Sequence, residues 1–323
     1  MSNAPANHPR PRVAAVIAVF NRLPLTQRCL AALRRAGGRV EVVPVVVDDG
    51  STDGTGEWLA QHTPEVQVLR GDGHWWFGRC TQAGIEHALS VTPPFDYVLT
   101  LNNDTFLDPG ALDHMIAVSQ GEAGVGIPFR VLDKEAVCGS GLVWHAWRGL
   151  IDPLYENPGL LSADPKRWIP VELFATTATL IPAQALRRIR GIDWQRHPQH
   201  RADVDLFAQL RDLGIPMRQI CRPLADHEYG PAAARGSVRQ MTLGEFWAHS
   251  FSSPLSQGHL AGCLRSLWQC APSGPAALPV QLRRLLIFAR QLLFSAVNTP
   301  RLLRLRRQGG LTPPADGEMA KTN

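Results

Sequence analysis

Three short polar clusters, each directly behind an apolar run, carry the groups in this sequence best suited to chemistry. Asn102-Asn103-Asp104 follows Tyr97–Leu101, Asp48-Asp49-Gly50-Ser51 follows Glu41–Val47, and Phe20-Asn21-Arg22 closes the run that starts at Val13. A hard divalent cation takes oxygen ligands, and one carboxylate plus phosphate oxygens is a common set for Mg2+ or Mn2+. Asp104 suits that role. Asn and Asp also favour turns and caps, so the tripeptide by itself is equally well explained as a turn. The adjacent carboxylates of Asp48 and Asp49 can accept hydrogen bonds from a base N–H and a ribose hydroxyl. Their plain alternative is a solvated turn capping the next helix.

Later in the chain, Asp203 and Asp205 stand two apart in Arg201-Ala202-Asp203-Val204-Asp205-Leu206. Residues i and i+2 of a helix do not share a face, so one acid is available for chemistry and the other is structural or exposed. Asp203 also suits a helix N-cap or first turn.

The elements that must position these groups alternate. Strands are expected at Val13–Phe20, Glu41–Val47, Val66–Arg70 and Tyr97–Leu101, with helices at Pro24–Arg35, Gly54–His62, Gly78–Ser90 and Pro109–Ser119. Alternation of this kind implies βαβ units and a parallel sheet covered on both faces. Ligands of such sheets bind beyond the carboxyl ends of the strands, which is where all three clusters lie. After Gly121 the pattern loosens. Val125–Phe129, Ala136–Trp144, Val171–Ile181 and Ile215–Cys221 read as strands and Asp203–Asp212 as a helix. A Gly/Ala/Ser loop follows Tyr229, then further helices.

Several classes are excluded or disfavoured. The first strand is followed by Asn21-Arg22-Leu23-Pro24 rather than GxGxxG, and no Walker-type loop occurs. Phosphates would then be neutralised by a divalent cation. The net charge of +5 is modest for 323 residues and does not call for nucleic acid. With 45% hydrophobic and 19% charged residues the chain can bury a core. The six cysteines form no CxxC pair and no zinc spacing, which favours free buried thiols in a reducing compartment. No run reaches a membrane span and no signal-peptide layout is present, so a cytoplasmic location is expected. Peripheral attachment to the inner face of the plasma membrane is left open.

The ordered set of motifs resembles family 2 glycosyltransferases of the GT-A fold. Val16-Ile17-Ala18-Val19-Phe20-Asn21-Arg22 and then Val47-Asp48-Asp49-Gly50-Ser51-Thr52-Asp53-Gly54-Thr55 are similar to the family's opening. Asn102-Asn103-Asp104 resembles its DxD motif, with Asn102 in place of the first acid. His74-Trp75-Trp76-Phe77-Gly78-Arg79 resembles a segment of rhamnosyltransferase-like members. The resemblance implies that Ala18, Phe20 and Asp49 contact the nucleotide base, with Asp48 the other acid of the pair. It implies that Asn103 and Asp104 contact ribose and metal, and that His227, in His227-Glu228-Tyr229-Gly230, completes the metal site. Asp203 matches the family's acceptor-deprotonating acid, with Ala202 replacing the acid before it.

On that resemblance the expected activity is an inverting transfer of a sugar, rhamnose among the candidates, from a dTDP- or UDP-sugar to a hydroxyl of a glycan or lipid-linked acceptor in cell-surface polysaccharide synthesis. Mg2+ or Mn2+ is the expected cofactor. Arg79 is a candidate for the diphosphate, against a plain surface role. Trp75 and Trp76 are candidates for a sugar or acceptor platform, against core packing. A non-catalytic sugar-nucleotide or glycan-binding protein, degenerate at Asn102 and Ala202, is the alternative. A sugar nucleotidyltransferase fits less well, since it would want a glycine-rich basic loop after the first strand.

The expected layout is a disordered N-terminus (1–12), a GT-A catalytic domain (13–230, with halves 13–120 and 121–230), a helical extension (231–308) and a disordered tail (309–323). Between Leu278 and Gln308 stand seven arginines and no acid, with leucines at helical spacing that Pro300 interrupts. That segment is open between an interfacial helix on an anionic membrane and an amphipathic helix packed on protein.

Overall fold

The computed structural model describes residues 10–132, 136–145, 150–155, 161–162, 164, 166–228, 241–252, 259–270 and 277–307. The expected disordered tail (309–323) and the Gly/Ala/Ser loop beyond Tyr229 lie outside them, as does the N-terminus as far as residue 9; residues 10–12 of the segment expected to be disordered are described, and Arg12 opens a strand.

The expected α/β class is present. A central sheet is flanked by helices and followed by a helical extension. Four strands, β1 (Arg12–Val19), β2 (Glu41–Asp48), β3 (Gln67–Arg70) and β4 (Tyr97–Leu101), pair in parallel in the order β3-β2-β1-β4. They are joined by helices α1 (Leu23–Ala36), α2 (Thr55–His62) and α3 (Trp76–Ser90). β1 is apolar almost throughout because both its faces are covered. Val13, Ala15, Ile17 and Val19 pack with Cys29, Leu30 and Leu33 of α1, while Ala14 and Val16 pack with Ile85 and Ala88 of α3. Gly84 lets α3 approach closely, since a Cβ there would overlap Val16.

After β4 come a short strand β5 (Thr105–Leu107), helix α4 (Ala111–Ser119), β6 (Gly124–Gly126), β7 (Pro128–Val131), β8 (Ala136–His145), β9 (Leu150–Tyr155), β10 (Trp168–Pro170), β11 (Leu173–Phe174) and β12 (Ala178–Pro182). Then follow α5 (Ala183–Leu186), α6 (Ala202–Asp212), β13 (Met217–Ile220) and β14 (Ala225–His227). The main sheet runs β10-β13-β6-β12-β4-β1-β2-β3, and β12 lies antiparallel between β4 and β6. A smaller sheet has the path β11-β8-β7-β14-β5, with β9 on β8.

Two expected strands are each divided. The run Val125–Phe129 leaves the main sheet as β6 and enters the small one as β7. The change follows from Gly126, where a side chain would collide with Phe174 and Ser140, and from Pro128, which begins the next strand. The run Val171–Ile181 divides likewise into β11 and β12. Within it, Thr179 Oγ1 donates to the Ala175 carbonyl at 2.9 Å.

The extension comprises α7 (Leu243–Trp247), a π-helical turn (Ala248–Ser252), α8 (Leu260–Cys270) and α9 (Ala277–Arg307). Thr242 and Glu245 form a reciprocal capping box at α7. Pro300 does not interrupt α9, contrary to expectation. Thr299 Oγ1 and Asn298 Nδ2 donate to the carbonyls of Ser295 and Phe294 one turn back. Cys29, Cys80, Cys138, Cys221 and Cys263 are buried, as expected.

Candidate active site

The β5–β14 pair brings Asp104 and His227 together. His227 lies opposite Thr105 across the ladder, and the Glu228 N–H donates to the Asp104 carbonyl at 3.0 Å. His227 Nδ1 lies 3.6 Å from Asp104 Oδ1 and 2.9 Å from Thr105 Oγ1. On the other side of Asp104, the Arg22 guanidinium reaches Oδ2 at 3.3 Å. Burial pushes the Asp104 carboxyl above the usual carboxylate range, and the charges of His227 and Arg22 oppose that shift. Burial also lowers the imidazole of His227, with Asp104 pulling it back up. Asp104 Oδ1 and Asn102 Oδ1 are buried acceptors with no hydrogen-bond partner. An unsatisfied carboxylate oxygen beside a neutral imidazole fits a divalent cation. Among the described residues no group of three or more His, Cys, Asp or Glu forms a ready metal site, so further ligands would come from the bound substrate or water.

Asn103 is buried, and its amide donates to Thr26 Oγ1 on α1 at 3.2 Å. Its side chain therefore fixes the loop to α1.

Asp48 and Asp49 are both buried at the carboxyl end of β2. Asp48 Oδ1 accepts from the Ser51 N–H at 2.9 Å. Asp49 accepts three backbone N–H groups, from Gly73 at 3.0 Å, Trp75 at 3.1 Å and Trp76 at 2.9 Å. It thus caps the start of α3, and the capping of α2 falls to Asp53, which accepts from the Thr55 N–H at 3.1 Å. Ala18 and Phe20 are the half-exposed positions at the end of β1 and share one face of the strand.

Trp75 and Trp76 are half-buried. The Arg79 guanidinium lies between two indole rings, 4.2 Å from the centroid of Trp75 and 4.8 Å from that of Trp194. Arg79 is therefore part of an aromatic stack at the start of α3. Trp194 had no signal in the sequence.

Asp203 sits in the first turn of α6, half-buried, with Oδ1 accepting from the Val204 N–H at 2.8 Å. Burial raises its carboxyl above the normal range. Asp205 is the structural member of the pair: it is buried and bound by Arg190, the Asp193 N–H and Gln269. The loop before α6 is fastened to α3. The Gly78 N–H donates to the Pro198 carbonyl at 2.7 Å and the Phe77 N–H to Gln199 Oε1 at 3.2 Å. No hydrogen bond or ion pair joins Asp203 to Asp104.

Four of the five non-glycine residues with positive φ among the described ones stand at the starts of these helices: Asn21 (58°) and Arg22 (63°) before α1, Trp76 (58°) at α3 and Arg201 (69°) at α6. Strained backbone of this kind collects at functional sites. In Arg22 it accompanies a guanidinium placed on Asp104. Residue type and spacing gave no sign of that contact. Asn21 is held by Ser51 and Thr52, its N–H donating to Ser51 Oγ at 2.7 Å.

Residues 14–151 match the model of Glycosyl transferase family 2. No curated protein matches the chain. Among solved structures, a mannosyltransferase from Pyrobaculum calidifontis in complex with GDP-Man and Mn2+ is similar at 17% identity and a TM-score of 0.46, covering 92% of this chain and 89% of that one.

Proposed function

We propose that the chain is an inverting glycosyltransferase that moves a sugar from a nucleoside-diphosphate sugar to a hydroxyl of a glycan or lipid-linked acceptor. The observation that carries this reading is the unsatisfied Oδ1 of buried Asp104 beside His227, at the ligand edge of a mostly parallel sheet. Asp104 and His227 would hold Mg2+ or Mn2+, which supplies positive charge to the departing diphosphate. Phe20 and Ala18 receive the base at the end of β1, beside the β2 loop of Asp48 and Asp49. Asp49 shapes the donor pocket by fixing the loop 73–76. Asp203, its basicity raised by burial, removes the proton of the acceptor hydroxyl as that oxygen attacks the anomeric carbon and the bond to diphosphate breaks. Arg79 stiffens the stack of Trp75 and Trp194, and that stack, with Trp76, is a platform for the sugar or the acceptor. The Trp75-Trp76 segment favours rhamnose on dTDP or UDP as donor, and cell-surface polysaccharide synthesis as the setting.

Release of nucleoside diphosphate from a panel of donor sugars, with Mn2+ present, tests this reading. The wild-type chain should hydrolyse one donor slowly and Asp104→Asn should not. Asp203→Asn should bind donor normally yet lose about 10²-fold or more in transfer, the usual weight of a general base. Donor binding with no turnover across a panel of acceptors would overturn the assignment.

A further inference from the structure

Helix α9 leaves an apolar row uncovered by its own chain, beyond the residues through which it packs. Leu278, Leu282, Leu286, Leu293 and Val297 recur at helical spacing and are 52%, 62%, 71%, 66% and 69% exposed. The side turned inward carries Ser295, which is buried, and the half-buried Arg284 and Gln281. Gln281 donates to the Leu264 carbonyl of α8 at 3.1 Å, and Arg284 points at Cys263 Sγ at 3.6 Å. The inward side also carries Leu302, which is buried, and Phe288, whose ring lies 5.3 Å from that of buried Phe246, so α9 is held by mixed contacts while a separate row of leucines stays exposed.

The flank of the leucine stripe is cationic. At 3.6 residues per turn, Arg283, Arg290 and Arg301 form a second line beside it, and all three are exposed. α9 contains seven arginines and no acid. Exposed aromatic rings adjoin the helix. Phe251 packs edge-on against Phe288 of α9 at 5.5 Å, Trp247 packs on Phe251 at 4.6 Å, and Trp268 is exposed on α8.

We propose that this face docks on an anionic lipid surface, with α9 lying in the plane of the interface. An apolar stripe flanked by arginines is matched by acyl chains below and anionic headgroups beside it. Arginine stems can lie along the apolar boundary while the guanidiniums reach the headgroups. A second copy of the same face would set rows of arginines against each other with no acid on the helix to offset them. No helix of the described residues is long and apolar enough to cross a membrane, so α9 lies on the surface. The inference rests on this surface alone and not on the transferase reading.

Co-sedimentation of the full chain with two vesicle types tests it: phosphatidylcholine alone, and equal parts of phosphatidylcholine and phosphatidylglycerol. The wild-type chain should sediment with the anionic vesicles, not with the neutral ones, and less at high salt. Leu282→Glu/Leu286→Glu/Leu293→Glu and Arg283→Glu/Arg290→Glu/Arg301→Glu should each bind the anionic vesicles about tenfold or more weakly. The changed positions are exposed, and an unaltered circular dichroism spectrum and unfolding temperature would show that both variants fold. Failure of the wild-type chain to bind anionic vesicles would overturn the proposal, as would wild-type binding by the two variants. A dimer in solution that the leucine variant splits, with no vesicle binding, would assign the face to a second copy and overturn it equally.

Discussion

Asp104 is held between two groups of opposite consequence. Arg22 is a permanent cation on one of its oxygens, while His227 is an imidazole that burial keeps neutral. A metal at the proposed site would need both Asp104 and His227 deprotonated. Because the Asp104 carboxyl is raised, protons compete for it at a less acid pH than for an ordinary carboxylate. His227 is lowered, so it competes only below the usual histidine range. Mn2+ affinity, measured by titration calorimetry, should therefore hold at neutral pH and fall as the pH drops below that range. The same groups shift stability in opposite directions without metal. For His227 the unfolded state binds more protons between its folded pKa and 6.5, so this contribution to stability rises with pH across that window. For Asp104 the folded state binds more protons above 3.8, so its contribution declines as pH rises through the folded pKa. An Mn2+ affinity that stays constant as the pH drops well below the usual histidine range, with the chain still folded, would remove both groups from the metal site.

The elements show what is legible in a sequence and what is not. β1, β2, β3 and β4 were readable within a residue or two because buried parallel strands are continuous apolar runs. β5 and β14 were not, since three residues show no period, yet they are what joins Asp104 to His227. The division of β6 from β7 turns on which sheet each side of Gly126 joins, a tertiary matter. Asp104, His227 and Asp203 were readable as polar residues placed after strands or at a helix start. Arg22 was not, because its contact depends on a left-handed backbone. Nor was the loop 73–76 legible as the destination of the Asp49 carboxylate. At this scale Gly78 is a joint between α3 and the loop before α6, where a Cβ would overlap the His197 carbonyl. Gly78→Ala should cost about 1–3 kcal/mol in chemical denaturation, as overpacking typically does. It should also lower transfer, since it displaces the segment leading to Asp203. Wild-type stability and activity would show that the two segments are not coupled through this contact.

For the molecule as a whole, the extension closes over the back of α6. Gln269 of α8 donates to the buried Asp205 at 2.9 Å, Arg211 donates to the Gln269 carbonyl at 2.7 Å, and Arg201 donates to Cys263 Sγ at 2.7 Å. A chain ending at residue 228 keeps every candidate active-site residue but loses these bonds. Removing one partner of a buried, charged group costs about 1–3 kcal/mol. The unfolding temperature of the shortened chain should then fall by roughly 2–4 °C for each kcal/mol lost. An unchanged unfolding temperature would make the extension an appendage with no part in holding α6.

The antiparallel placement of β12 between β4 and β6 has a consequence for how the chain is made. As the chain leaves the ribosome, β1 to β4 emerge first and can pair among themselves. The free edge of β4 must wait for β12, and Asp104 must wait for His227. Until residue 227 is out, a nascent chain holds the carboxyl ends of β1, β2 and β4 but lacks His227, the partner of Asp104 in the proposed metal site. On the proposed reading, completion of that site is the last step of the domain's synthesis, and a chain stalled midway would be inert toward a donor.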